Sequence, residues 1–82
     1  MNVTLLYFAA VRDLVGRDEE PLALPAGIGT IETLAGHLTT LHPELEGRLG
    51  YVRFARNEEF AQPSDPIAEG DVIALIPPVA GG

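Results

Sequence analysis

The strongest candidate for chemistry in this sequence is a stretch of backbone, and few side chains compete with it. The last residues read Ile76-Pro77-Pro78-Val79-Ala80-Gly81-Gly82. A carboxylate on Gly82 is a chemical handle. Glycine has no Cβ, so Gly81 and Gly82 are little wider than bare backbone and fit a slot that any side chain would block. Pro77 and Pro78 lack N–H groups and fix φ, so they end a central strand and project the last four residues away from it. A proline pair favours an extended path without internal hydrogen bonds. From Val79 to Gly82 the chain reaches roughly 13–14 Å at full extension, enough to carry the carboxylate into another protein's active site. A carboxylate is a poor electrophile and needs activation, most simply by ATP to an acyl-adenylate. A sulfur nucleophile can then displace AMP and leave a thiocarboxylate, or an amine or thiol can be acylated. On this reading the chain is the carried substrate, and its partner supplies the catalysis.

The other polar groups read as structural. Glu19/Glu20 and Glu58/Glu59 are paired carboxylates in polar turns, with no sign of the burial that would tune them for acid–base work. His37 falls on the polar side of a predicted helix. His42 ends that helix, where a cationic ring suits the dipole. The single serine, Ser64, lies between Pro63 and Asp65 in a loop. No P-loop, dinucleotide fingerprint or zincin motif is present. The absence of cysteine excludes a disulfide staple, a cysteine nucleophile and a cysteine-ligated cluster, and it leaves a zinc site without thiols. Any sulfur this protein handles is attached elsewhere, and no bound metal or cofactor is expected.

Eighty-two residues make one domain with a small core, and the apolar fraction of 46% is that of a globular protein. Twelve acids against five bases give a net charge of −7. That balance disfavours nucleic acid and anionic membranes and suits basic protein partners through steering. Every base is arginine, so the chain offers no internal ε-amine for lysine-linked polymers of itself. Met1-Asn2 lacks a basic leader, and the first apolar run is broken by Arg12 and Asp13, so the expected location is the cytoplasm.

The elements that must position the tail are legible from hydrophobic period. Val3 to Phe8 reads as a central strand covered on both faces, and Ala9 to Gly16 as a helical turn or two. Asp18-Glu19-Glu20 reads as a solvated turn, and Pro21 to Pro25 as an edge strand pairing with the first. Thr30 caps a helix whose stripe is Ile31, Leu34, Ala35, Leu38 and Leu41, ended by His42-Pro43. A polar loop comes next, then a strand from Tyr51 to Ala55, a tight turn Arg56-Asn57-Glu58-Glu59 and a short return strand Phe60-Ala61. Ile67 plugs the core, and Val72 to Ile76 is the last strand. The fold class is α+β. The order β-β-α-β-β-β with one main helix predicts a mixed five-stranded sheet, its first and last strands central, adjacent and parallel. This is the β-grasp (ubiquitin-like) arrangement. The expected organisation is a body over residues 1–76 and an extended tail over 77–82.

Three segments resemble the molybdopterin synthase small subunit of the MoaD/ThiS sulfur-carrier family. They are Leu6 to Gly16, the Ala55-Arg56-Asn57-Glu58 turn, and Gly70 to Ala74 followed by Ile76-Pro77-Pro78-Val79-Ala80-Gly81-Gly82. Arg56 stands where the family has valine and is read as turned to solvent. Ala80 replaces a serine or threonine and removes a hydroxyl. The resemblance implies a protein that is non-catalytic alone and serves as the sulfur-donating subunit of a sulfurtransferase complex. A MoeB-like adenylyltransferase, similar to ubiquitin-activating enzymes, would adenylate Gly82 with ATP and magnesium. The terminus would become a thiocarboxylate, a 1-thioglycine. The tail would enter the MoaE-like large subunit and donate sulfur to precursor Z (cyclic pyranopterin monophosphate), with Gly81 giving the slim approach and Pro77 to Ala80 guiding it. The docking face would combine the sheet with the tail's root, with Phe8, Phe60 and Ile76 as apolar contacts and core filling as the alternative for each. Other expectations on the same fold are a thiamine-pathway carrier, another thiocarboxylate donor, or a ubiquitin-like protein modifier. A plain interaction module with an inert tail lies outside that class.

Overall fold

A computed structural model describes residues 1–78; the tail positions Val79, Ala80, Gly81 and Gly82 lie outside the described residues. Its elements in chain order are β1 (Asn2–Tyr7), α1 (Ala9–Val15), β2 (Glu19–Ala23), α2 (Ile31–Leu41), 3₁₀ turns at Pro43–Leu45 and Leu49–Tyr51, β3 (Arg53–Arg56), β4 (Glu59–Phe60) and β5 (Val72–Ile76). The five strands form one sheet in the order β2-β1-β5-β3-β4. The predicted parallel centre is present, with β1 beside β5 in register from Thr4↔Val72 to Tyr7↔Leu75. The remaining pairs are antiparallel. β2 lies at an edge, where Pro21 costs no ladder bond.

Side-chain alternation sorts the sheet into two faces. Val3, Leu5 and Tyr7 from β1, Ile73 and Leu75 from β5 and Phe54 from β3 point to one side and are buried. They meet Ile31, Leu34 and Leu38, the inner stripe of α2. Thr30 caps α2, accepting the Thr33 backbone N–H while the Thr33 side chain returns the bond. α1 closes the lower end of the core with Val11 and stops at Gly16, whose φ of 87° is left-handed. Leu45, read in the sequence as part of a polar loop, is fully buried from the first 3₁₀ turn, and Ile67 plugs the core as expected. Fully burying such a side chain contributes roughly 1.5–3 kcal/mol.

Three readings need correction. β1 is not covered on both faces: its burial alternates, and Thr4 and Leu6 are only partly covered. The only α-helices among the described residues, α1 and α2, both contribute to the same buried core, so the second face stays open. Glu19-Glu20 is the start of β2, not a solvated turn, and Glu20 faces the helix side opposite Leu5. Arg56 is not turned to solvent. Its guanidinium Nε donates to Asp71 Oδ2, and Asp71 is the buried charge of the body.

Asp71 also accepts the Ala68 N–H at 2.8 Å and the Asn57 side-chain amide at 3.0 Å. Asn57 in turn accepts the Val72 N–H at 3.0 Å and donates its own N–H to the Val72 carbonyl at 2.8 Å. The turn itself places both Asn57 (φ 50°) and Glu58 (φ 73°) in the left-handed region, the geometry of a tight hairpin. The β3–β4 hairpin is thereby fixed to the start of the strand that leads to the tail. Burial alone would raise the Asp71 pKa, but hydrogen bonds from Arg56, Ala68 and Asn57 and the Arg56 charge outweigh it and lower the value from 3.8 to about 2. Because the folded value is the lower one, the stabilisation is complete above pH 3.8 and fades as pH falls towards 2. Asp71→Asn is therefore expected to destabilise the body by about 2 kcal/mol at neutral pH and to flatten the acid limb of a thermal-melt series. An unchanged acid limb would assign that loss to other carboxylates.

Candidate functional site

The open face of the sheet is built by the even-numbered positions of its two central strands. Leu6 of β1 and Val72, Ala74 and Ile76 of β5 alternate with the buried set. Phe8 follows Leu6 in the same parity, just past the strand end. Ala9 then takes φ 48°, a left-handed conformation that costs a non-glycine residue roughly 1–2 kcal/mol, and turns the chain into α1. From the other side of β5 come Ala55 of β3 and its cross-strand partner Phe60 of β4. Leu6, Phe8, Ala55, Glu58, Phe60, Val72, Ala74 and Ile76 line a shallow depression of about 240 Å³.

Each sequence-predicted docking residue falls on this surface. Phe8 is 45% exposed and Phe60 59%, while Ile76 is partly covered. Phe8, Phe60 and Ile76 lie outside the buried core, so core filling does not explain them. Leu6, Val72 and Ala74 join them. Sequence reasoning misses these three because a continuous apolar run reads as covered on both sides. The signal that could have found them is the helix count, since one main helix leaves one sheet face without cover.

Ile76 is the last residue of β5, so the depression ends where the tail begins. Pro77 and Pro78 turn to a second groove of about 250 Å³, lined by Val11 and Leu14 of α1 together with Leu45, Arg48, Leu49 and Tyr51. The tail's root is thus held between an open apolar face on one side and an apolar groove on the other.

A polar cluster sits on the helix side of the sheet. The buried Tyr7 hydroxyl donates to Glu20 Oε1 at 2.7 Å, and His42 Nε2 lies 2.8 Å from the same oxygen. Arg17 reaches Glu20 Oε2 at 3.4 Å, and the His42 ring meets Tyr7 edge-on. Burial alone would raise the Glu20 pKa, but hydrogen bonds from Tyr7 and His42 and the charges of His42 and Arg17 lower it. Tyr7 is raised well above 10.0, by burial first and then by its bond to Glu20. The cluster ties β1 and β2 to the end of α2 through hydrogen bonds, which is a structural role. Tyr7→Phe is expected to cost about 1–2 kcal/mol. A raised folded pKa gives stability that is complete below pH 10.0 and lost above it. Thermal melts at alkaline pH should therefore fall more steeply for the wild type than for Tyr7→Phe. Parallel curves would remove Tyr7 as the cause.

Among the described residues no group of three or more histidine, cysteine or acidic side chains is placed to hold a metal ion, and no helix is long and apolar enough to cross a membrane. Among the described residues the geometry offers a folded body with an apolar face that ends at Ile76, the last residue of β5.

The family model described as the ThiS family matches residues 5–82. The chain belongs to the ThiS family. It is 37% identical over its full length to the molybdopterin synthase sulfur carrier subunit of Chlamydomonas reinhardtii, all of which is covered. It is 40% identical to the protein of the same name from Aedes aegypti, covering all of this chain and 90% of that one. Among solved structures, SAMP1 from Haloferax volcanii superposes with a TM-score of 0.87 at 28% identity, with both chains fully covered. These ubiquitin-like β-grasp neighbours establish the predicted fold class, and a ThiS-family chain is a sulfur-carrier relative as the sequence resemblance implies.

Proposed function

We propose that this protein is the sulfur-carrier subunit of a molybdopterin synthase. In this reading Gly82 is adenylated by an activating enzyme of the MoeB type, using ATP and magnesium. It is then converted to a thiocarboxylate and delivers sulfur to precursor Z inside a MoaE-like large subunit. The body carries no catalytic group of its own for the reaction. Residues 1–76 form the handle and 77–82 the tail, and the location is the cytoplasm, where these partners are expected.

The observation that carries the reading is that the open apolar face ends at Ile76, the residue from which Pro77 and Pro78 lead into the tail. A partner that covers Phe8, Phe60 and Ile76 holds the first residue of the tail at a fixed point. Four residues, Val79 to Gly82, have a maximum reach of roughly 13–14 Å from that point. Glycine at 81 and 82 allows a narrow channel, and fixing both ends of the path converts sulfur delivery into an effectively intramolecular step. The names carried by the full-length relatives point to the same pathway.

The test is reconstitution. The chain is incubated with the activating enzyme, ATP, magnesium and a sulfur source, and its intact mass is followed. An oxygen-to-sulfur exchange at Gly82 is expected, and addition of the large subunit and precursor Z should return the carboxylate and yield molybdopterin. If the exchange occurs but the pterin is never sulfurated, the thiocarboxylate serves another pathway, such as thiamine synthesis.

A second reading is favoured by one observation. Neighbours at TM-scores of 0.87 and 0.83 from Haloferax volcanii include one described as small archaeal modifier protein 1. The same activated Gly82 could acylate lysines of target proteins. Covalent conjugates formed in place of pterin sulfur would support that use.

A further inference from the structure

Arg53 is the cation of the open face. It opens β3, is exposed, and pairs in register with Ile76 at the tail's root. Its guanidinium carbon lies 3.8 Å from the centroid of the Phe60 ring, so the planar group stacks on the most exposed aromatic of that face. Arg12, Arg17 and Arg56 each meet a carboxylate, whereas Arg53 has no ion pair among the described residues.

A guanidinium held against a ring keeps its N–H donors at its edges, directed away from the ring face. That fork matches one planar group best, a carboxylate bound through two parallel hydrogen bonds. Stacking also removes part of the rotamer entropy that a free arginine loses on binding. The net charge of −7 opposes a polyanion such as nucleic acid or a lipid surface, but it does not oppose a single fixed acid on an otherwise neutral or basic protein surface.

We infer that Arg53 is a specificity-determining contact: the partner that covers the open face presents an Asp or Glu carboxylate to the Arg53–Phe60 stack, beside an apolar side chain that fills the neighbouring depression. This inference rests on the docking reading above and names the chemistry of the partner at that face. The carboxylate locks the root of the tail from the β3 side, while Phe8 holds it from the β1 side.

The experiment titrates the cognate molybdopterin synthase large subunit with the full chain by calorimetry, at low and high salt. It compares wild type, Arg53→Met, Arg53→Glu and Phe60→Asp. Arg53→Met keeps apolar packing on the ring and removes the donors. Binding is expected to weaken by about tenfold for Arg53→Met and further for Arg53→Glu, and Arg53→Met should lose part of the wild type's salt dependence. Circular dichroism should be unchanged, because Arg53 is exposed. If Arg53→Met binds like wild type while Phe60→Asp does not bind, the face docks but the carboxylate contact is overturned. If all three variants bind like wild type, the docking reading itself fails and the inference fails with it.

Discussion

Adding one alanine after Gly82 is expected to cut molybdopterin formation by about a hundredfold or more. The extension moves the carboxylate by roughly 3.3–3.6 Å and puts a methyl group where the slot admits only backbone. Misplacement of a reacting group by about 1 Å already costs on the order of 10²-fold. The body should not notice the change, because β5 ends at Ile76 and every core residue among the described ones precedes it. Intact mass after incubation with the activating enzyme, ATP and a sulfur source shows whether the thiocarboxylate forms. A coupled assay with the large subunit and precursor Z shows whether sulfur moves. Loss at both steps with an unchanged circular dichroism spectrum is the expected outcome. Undiminished pterin sulfuration by the extended chain would falsify the carrier role of Gly82.

Phe60→Asp is expected to leave the body folded and to weaken binding of the large subunit by about 2 kcal/mol or more, roughly thirtyfold. The ring is 59% exposed and lies outside the buried core, so its removal opens no cavity. Within the described residues the change forfeits the stack with Arg53, an exposed interaction of about 0.5–1 kcal/mol, and part of the cross-strand packing on Ala55. On the partner's side the cost is larger. An aspartate in that depression must be desolvated against Leu6, Val72 and Ala74, and it draws the neighbouring Arg53 guanidinium to itself and away from the partner. Calorimetric titration measures the affinity and a thermal melt measures the stability. A variant that unfolds would place Phe60 in the core after all. A variant that folds and still binds like wild type would remove the open face from the docking surface.

These two effects draw on different kinds of information. The tail chemistry needs residue types alone: Gly81, Gly82 and the proline pair are legible in the order of letters, because backbone width and missing N–H groups belong to the residues themselves. The polar clusters are not legible in that way. Glu20 reads as a turn residue, yet it accepts from Tyr7 across the β1–β2 pair and meets His42 at the end of α2. Asp71 stands just before the last strand with no local sign of burial, yet it is buried and joined to Arg56 and Asn57, fifteen and fourteen positions away. Nothing local marks an acid for burial. The partner that makes burial tolerable comes from another strand.

The sequence by itself determined the one-domain size, the α+β class, the main helix with its Thr30 cap, the central pair of apolar strands and the Gly-Gly tail. Each depends on propensity or period within one segment, and those forces are local. Only the tertiary structure decided which sheet face stays open, that Leu6, Val72 and Ala74 join Phe8, Phe60 and Ile76 there, and that Arg53 stacks on Phe60. An apolar run is equally apolar on both its sides. Which side is left for a partner depends on where the helices come to rest.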